Sequence, residues 1–438
     1  MFGFGPELLS PDGRPIADAL VLSHPEQLAR LRASCPPAVA RAVLAGDPCY
    51  DRLLAGRVHR DRFRRALDVR PGQRLVLLSS TWNPESLFGD AGEDVLAGLL
   101  PRLTTELPAD EYRLAAVLHP NIWHCHGTGQ IRMWLDRARR GGLTLVEPVH
   151  DWRQALVAAD VVLGDFGSVS YYAAALGTPV LLGAAHLPGL GHDSPVADFV
   201  RQAPRLDARA PLRPQLERAL AAFRPLPGPS ELTSSAPGRS AELLRRVFYR
   251  RLRLPEPDGP ALLDPLRLPA YTPPVRTAPL RVVTRLLGPG EVAVARFAAA
   301  GREPDARGEA HTAVHEDTLD PGRLSLADVI VRYGAPDDPR LGPPAEWAAE
   351  VLARHPYCAL AAYVTAPGEC TVLPRGGEPL ALAADAPAAD PAAYASALHA
   401  WLAAGKSLAE LDGNLTVVTG RASHRVAVRP VAAPRASP

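Results

Sequence analysis

Between Arg74 and about residue 223, short apolar runs alternate with helical patterns, and that alternation leaves few folds open. Strands are predicted at 74–79, 113–118, 143–147, 160–164 and 179–183, and helices at roughly 90–106, 127–140, 151–158 and 168–176. The strands are too continuously apolar to keep one face wet, so both faces must be covered. Strands separated by helices of about 10–15 residues connect in parallel through right-handed crossovers. The expected fold is α/β, a Rossmann-like parallel sheet with helices on both faces.

The rest of the chain divides around that sheet. Residues 1–70 are read as an N-terminal helical and hinge segment. Its helical pattern runs through Leu28, Leu31, Val39, Val43 and Leu44, and the turn Ala45-Gly46-Asp47-Pro48 precedes a short basic helix. Residues 71–253 hold the sheet and close with an amphipathic helix at 239–252, with Leu243, Leu244, Val247 and Phe248 on one side. Residues 254–278, dense in proline, form the linker. Residues 279–438 mix strands (281–286, 291–298, 328–333, 359–365, 414–419, 424–428) with helices near 345–354 and 391–404, the pattern of a smaller α+β domain. The tail 432–438 is expected to fray.

Composition narrows the function classes. A net charge of +1 argues against bulk nucleic-acid binding. Lys406 is the single lysine among 48 basic residues, a bias typical of a GC-rich bacterial genome. Five scattered cysteines (Cys35, Cys49, Cys125, Cys358, Cys370) without a CxxC pair suit a reducing compartment. With no signal-peptide pattern and no apolar run of about eighteen residues, a cytoplasmic location is expected. Arg245-Arg246 and Arg250-Arg251 leave room for a peripheral contact at the inner membrane face, although a solvated helix face is the simpler reading.

Ligands of open α/β sheets bind beyond the carboxyl ends of the strands, so the residues after each strand are the ones to inspect. Ser79-Ser80-Thr81-Trp82-Asn83 follows the first strand, His119-Pro120 the second, and Pro148-Val149-His150-Asp151-Trp152 the third. After the fourth, Gly164-Asp165-Phe166-Gly167-Ser168-Val169 reads as a tight loop with Ser168 as N-cap of the next helix. A strand feeding a helix N-terminus gathers free N–H groups and the positive end of the dipole, a candidate phosphate cradle. A histidine on that edge can stabilise a diphosphate leaving group or shuttle a proton. The candidate catalytic residue is His119. The candidate substrate-binding residues are Thr81, Trp82, His150, Asp165, Gly167, Ser168 and Val169.

Other motifs are set aside. His124-Cys125-His126 lacks a distant partner ligand, and Gly127-Thr128-Gly129 and Gly189-Leu190-Gly191 lack the preceding strand of a dinucleotide fingerprint. His311 and His315 are four apart, but Gly308, Asp317 and Pro321 argue for a solvated loop. No metal and no cofactor are expected.

Taken in order, Thr81-Trp82, His119-Pro120, Ala159-Asp160 through Asp165-Phe166-Gly167-Ser168-Val169, and Gly177-Thr178-Pro179-Val180 resemble the C-terminal half of CDP-glycerol glycerophosphotransferases. These are teichoic-acid polymerase-type enzymes of the glycosyltransferase-B fold. Gly46-Asp47-Pro48-Cys49-Tyr50-Asp51 is similar to that family's Gly-x-Pro-x-x-Asp hinge, and the resemblance covers about residues 20–220. It implies that the sheet domain holds a nucleotide-activated donor, with His119 and Ser168 near its phosphates, Thr81 across the crevice and Asp165 ordering the loop. It also implies transfer of a phospho-polyol or sugar to a cell-envelope acceptor. The chain departs from the family at Gly164 and Gly167, where hydroxyls are usual, and at Asn83, where arginine often stands. The facing acceptor-side domain and its base are not visible, so a missing domain or a partner chain is implied. A sugar-nucleotide 2-epimerase, with a carboxylate pair drawn from Asp151, Asp160 and Asp165, and a non-catalytic nucleotide-binding module are the alternatives.

Overall fold

A computed structural model describes residues 4–89, 95–271, 276–298, 307–386 and 388–431. Near the N-terminus, β1 (Leu20–Leu22), α1 (Pro25–Ser34) and β2 (Ala42–Leu44) form a small βαβ unit in which the two strands pair in parallel. The helical pattern expected through Val43 ends early. Pro36 and Pro37 cannot donate to a continuing α-helix, so the chain tightens into a 3-10 turn and extends into β2. The hinge follows, leading into α2 (Pro48–Gly56) and α3 (Arg60–Ala66). Gly46 turns it with φ of +70°, and Asp47 caps α2 by accepting from the Tyr50 N–H at 3.0 Å. Asp51 is buried and accepts from the Gly238 and Ser240 N–H groups at 2.6 and 2.9 Å, so the hinge carboxylate caps a helix nearly two hundred residues away.

The central domain follows the predicted alternation. Its elements are β3 (Arg74–Ser80), α4 (Val95–Glu106), β4 (Tyr112–Leu118), α5 (Pro120–His126), α6 (Thr128–Trp134), α7 (Asp136–Arg140), β5 (Thr144–Leu145), α8 (Trp152–Ala158), β6 (Val161–Gly164), α9 (Ser168–Ala175) and β7 (Val180–Leu182). Then come α10 (Pro195–Gln202), α11 (Leu212–Ala221), α12 (Pro227–Leu232) and α13 (Ser240–Leu252). All five strands are parallel, in the order β5-β4-β3-β6-β7. Leu75 and Leu77 of β3 face one core while Val76 and Leu78 face the other, which is why the strands read as unbroken apolar runs. The single helix expected at 127–140 is two helices, α6 and α7, and Gly127, at φ of +79°, separates α6 from α5. The helix expected at 90–106 starts at Val95, its first five positions lying outside the described residues. Ser168 opens the first turn of α9 and Gly167 takes the cap position.

Residues 280–430 correct the expectation of a smaller α+β domain. The elements β8 (Leu280–Gly288), β9 (Glu291–Ala298), β10 (Glu309–His315), α14 (Pro321–Ser325), β11 (Val329–Tyr333), α15 (Pro344–Arg354), β12 (Leu360–Ala366), β13 (Glu369–Pro374), β14 (Leu380–Ala384), α16 (Pro391–Ala403), β15 (Asn414–Thr419) and β16 (Ala422–Pro430) include nine strands that close into a barrel. Its order is β10-β11-β12-β13-β14-β16-β15-β9-β8, with β8 pairing back onto β10. Helix α16 packs against seven of those strands and is buried on every side, so it threads the barrel interior. Its alanines keep it thin enough to fit, while Tyr394, Leu398 and Trp401 fill the remaining space. Three strands, β10, β13 and β14, were not anticipated. His311 and His315 therefore lie on a strand rather than in a solvated loop. His315 is buried beside Tyr333, and the His311 ring packs on His399 of α16 with centroids 4.6 Å apart. The tail 432–438 lies outside the described residues.

One buried ion pair joins barrel and sheet. Arg296 of β9, about 1% exposed, donates to both oxygens of Asp110 at 2.6 and 3.0 Å and to Asp390 at 2.8 Å. Asp390 also caps α16 and accepts from the Tyr333 hydroxyl at 3.0 Å, and the neighbouring guanidiniums hold its carboxyl well below the usual carboxylate range. Asp110 precedes β4, so the barrel docks at the amino ends of the sheet strands, away from the edge where ligands of such sheets bind.

Two outcomes follow from this packing. Arg296→Ala leaves the buried Asp110 carboxylate without its ion-pair partner and removes one of the cations around Asp390, and should destabilise the chain by about 3–5 kcal/mol, read by chemical denaturation. Burial, then the charge of His399, pushes His311 down from 6.5 to about 3, and burial also lowers His399, with Asp328 opposing. The unfolded chain therefore binds more protons between those limits, and stability should fall as pH drops below about 6.5. His311→Leu should flatten that slope in melting curves recorded from pH 7 to 4. An unchanged slope would show that His311 titrates normally.

Candidate functional site

The carboxyl ends of β3, β4 and β6 and the loop after β5 enclose a cavity of about 300 Å³. Thr81 stands on one side, His119 on the next strand end, and Gly167, Ser168 and Val169 at the start of α9, with Val149 and Trp152 closing the wall. Five of the eight expected residues are thus brought together. The first-turn N–H groups of α9 have no partner within the helix, and they sit at the cavity edge with the Ser168 hydroxyl.

Asp165 lies behind this surface rather than on it. About 1% exposed, it accepts from the Thr81 N–H (2.8 Å) and the Leu87 N–H (3.1 Å) through one oxygen and from the Gly167 N–H (2.9 Å) through the other. The Ser80 hydroxyl adds a longer bond at 3.3 Å. Burial pushes its carboxyl up, and the three backbone donors pull it back. A Cβ on Gly167 would meet Asp165 Oδ1 at 3.0 Å and the Thr81 Cβ at 3.2 Å, so glycine lets the two loops close on each other.

His119 is the N-cap of α5, its Nδ1 accepting from the Asn121 N–H at 3.1 Å. With Nδ1 occupied as acceptor, the neutral ring carries its proton on Nε2. Burial lowers its pKa and favours that neutral form. The ring can therefore donate a hydrogen bond to an anionic oxygen but offers no free lone pair for a general base. Trp82 leans on it, ring centroids 6.4 Å apart, at the exposed rim and outside the cavity lining. His150 is turned to solvent. Glu147 accepts from the Val149 and His150 N–H groups, and it is Trp152 and the half-exposed Val149 that line the cavity instead. The same strand-end segment contained all three residues, so the signal was present while the direction of the turn was not.

No Asp, Glu, Lys or Arg side chain lines this cavity among the described residues. Asp160, expected near this edge, precedes β6 and lies at the opposite end of the sheet. There it accepts from Arg60, Arg64 and the Leu75 N–H, each at 2.7 Å, and ties α3 to the strands. Pro120, Pro148 and Val149 are shared with a second chamber of about 740 Å³. Its wall carries Arg132, Arg139, Glu147 and Trp123, whose indole N–H is buried without an acceptor.

No protein-family model matches the chain, and no curated protein matches it. Among solved structures it is similar to the wall teichoic acid polymerase TagF at 15% identity, covering 54% of this chain and 58% of that one, with a TM-score of 0.35. A glycosyltransferase from Rickettsia africae matches at 10% identity over 55% of this chain and 64% of its own, with a TM-score of 0.30. A UDP-GlcNAc 2-epimerase from Neisseria meningitidis, bound to UDP-GlcNAc, matches at 12% identity over 53% and 61%, with a TM-score of 0.30. The chain spans less than two thirds of the length of each.

The arrangement separates loop-building residues from ligand-facing ones. Asp165→Asn presents an amide N–H to backbone donors and should cost about 2 kcal/mol or more of stability. Ser168→Ala, at an exposed position, should leave stability within about 0.5 kcal/mol. Equal melting temperatures for the two variants would contradict this division.

Proposed function

We propose that the sheet domain binds a nucleotide-activated donor, in the manner of the donor half of a glycosyltransferase-B enzyme. On this reading the chain belongs to a transferase of the CDP-glycerol glycerophosphotransferase type. The observation that carries it is the convergence of Thr81, His119, Ser168 and the α9 first turn on one small cavity that shares a wall with a larger chamber. The small cavity suits a diphosphate, met by N–H and O–H donors. The larger one suits a nucleoside, with Glu147 in its wall offering an acceptor to the base.

With no cation in the lining, charge on a departing diphosphate would be stabilised by oriented dipoles. The candidates are the α9 N–H groups, the Ser168 hydroxyl and His119 Nε2–H, which need no reorganisation as charge develops. His119 is then a hydrogen-bond donor to the leaving group, and the base that activates an acceptor comes from a facing domain or partner chain. A sugar-nucleotide 2-epimerase would need carboxylates over the sugar. Among the described residues none lines the cavity, and Asp165 is occupied by backbone donors.

Calorimetric titration with CDP, CDP-glycerol and UDP-GlcNAc tests this. His119→Ala and Ser168→Ala should each weaken binding about tenfold, the loss of one hydrogen bond to a charged group. His119→Asn, which can still cap α5 and donate, should recover most of it. Unchanged affinity in both alanine variants, or no nucleotide binding at all, would overturn the assignment.

A further inference from the structure

A third cavity, of about 410 Å³, opens at the other end of the sheet, where Thr178 and Pro179 lead into β7. Its floor is apolar: Phe199 is buried within the core beneath it, and Phe223 and Leu226 are half-buried on the segment after α11. Three guanidiniums stand around the opening, from Arg205, Arg218 and Arg224, and no carboxylate lines it among the described residues. Arg205 and Arg224 donate to backbone carbonyls, of Val200 at 2.6 Å and of Phe223 at 3.1 Å. No acidic side chain pairs with any of the three among the described residues. On the adjoining helices α10 and α11 other arginines are matched, Arg201 with Asp198 and Arg213 with Glu111, so the charge excess is local to this opening.

A concave apolar floor beneath unmatched cations is complementary to a molecule with an apolar body and an anionic head. Guanidinium forks match phosphate oxygens bidentately, and the volume falls within the roughly 300–1,000 Å³ of small-molecule sites. We propose that this cavity binds a single-chain anionic amphiphile, in its simplest form an alkyl phosphate. The chain lies over Phe199, Phe223 and Leu226, and the phosphate is held among Arg205, Arg218 and Arg224. The site is separate from the donor cavity and does not rest on that reading.

The test is calorimetric titration of the full chain with octyl phosphate, with octyl glucoside as the uncharged chain and inorganic phosphate as the headgroup alone. Octyl phosphate should bind at one per chain and at least about tenfold more tightly than either control. Arg218→Glu and Arg224→Glu, both at exposed positions, should together weaken it about tenfold, and added salt should weaken it too. His119→Ala should leave it unchanged, which separates this site from the nucleotide site. Octyl glucoside binding equally well, full retention in the double charge reversal, or no binding of octyl phosphate would each overturn the proposal.

Discussion

Three backbone N–H groups from two strand-end loops converge on the Asp165 carboxylate, and the ligand-facing edge of the sheet depends on that convergence. The loops after β3 and β6 would otherwise bury donors without acceptors, at a cost of about 1–3 kcal/mol each. One anion satisfies Thr81, Leu87 and Gly167 together and draws the loops into contact. The absence of a side chain on Gly167 makes that contact possible, and it sets the direction in which α9 begins. Once those two loops are closed, Thr81 and Ser168 face the same space as His119 at the end of β4, the neighbour of β3 on its other side.

The barrel is organised by the same kind of economy. Asp390 caps the helix that threads the barrel, accepts from Tyr333 and anchors Arg296, which also grips Asp110 of the sheet domain. Folding of the barrel and docking of the two domains thus share one buried charge cluster. Because that cluster lies at the amino ends of the sheet strands, the barrel leaves the opposite edge open. It supports the sheet without contributing a wall to the candidate site.

The five-stranded parallel sheet was legible because strands covered on both faces leave continuous apolar runs in the chain. The barrel was less so. The β10 and β13 segments mix Glu, His, Thr and Cys with few large apolar residues, and β14 is a five-residue Leu/Ala run, so none carried a clear strand signal. The helix near 391–404 was expected, but not that it would be buried on every side or that strands would surround it. At the candidate site, the strand-end rule pointed to loops that do share one cavity and could not say which side chains line it. His150 and Val149 are neighbours in one turn held by the Glu147 carboxylate, and of the two Val149 lines the cavity.

Local patterning, then, determined that this chain builds a parallel α/β sheet and that polar loop residues follow β3, β4 and β6, because period and turn residues are properties of short segments. Tertiary structure alone decided that Asp165 faces inward, held by the Thr81 and Leu87 N–H groups. It also decided that Asp160 belongs to the far end of the sheet, and that three unmatched arginines surround one apolar hollow. Those outcomes depend on which donors and charges meet across distances of up to a hundred residues in the chain, and no single segment contains both partners.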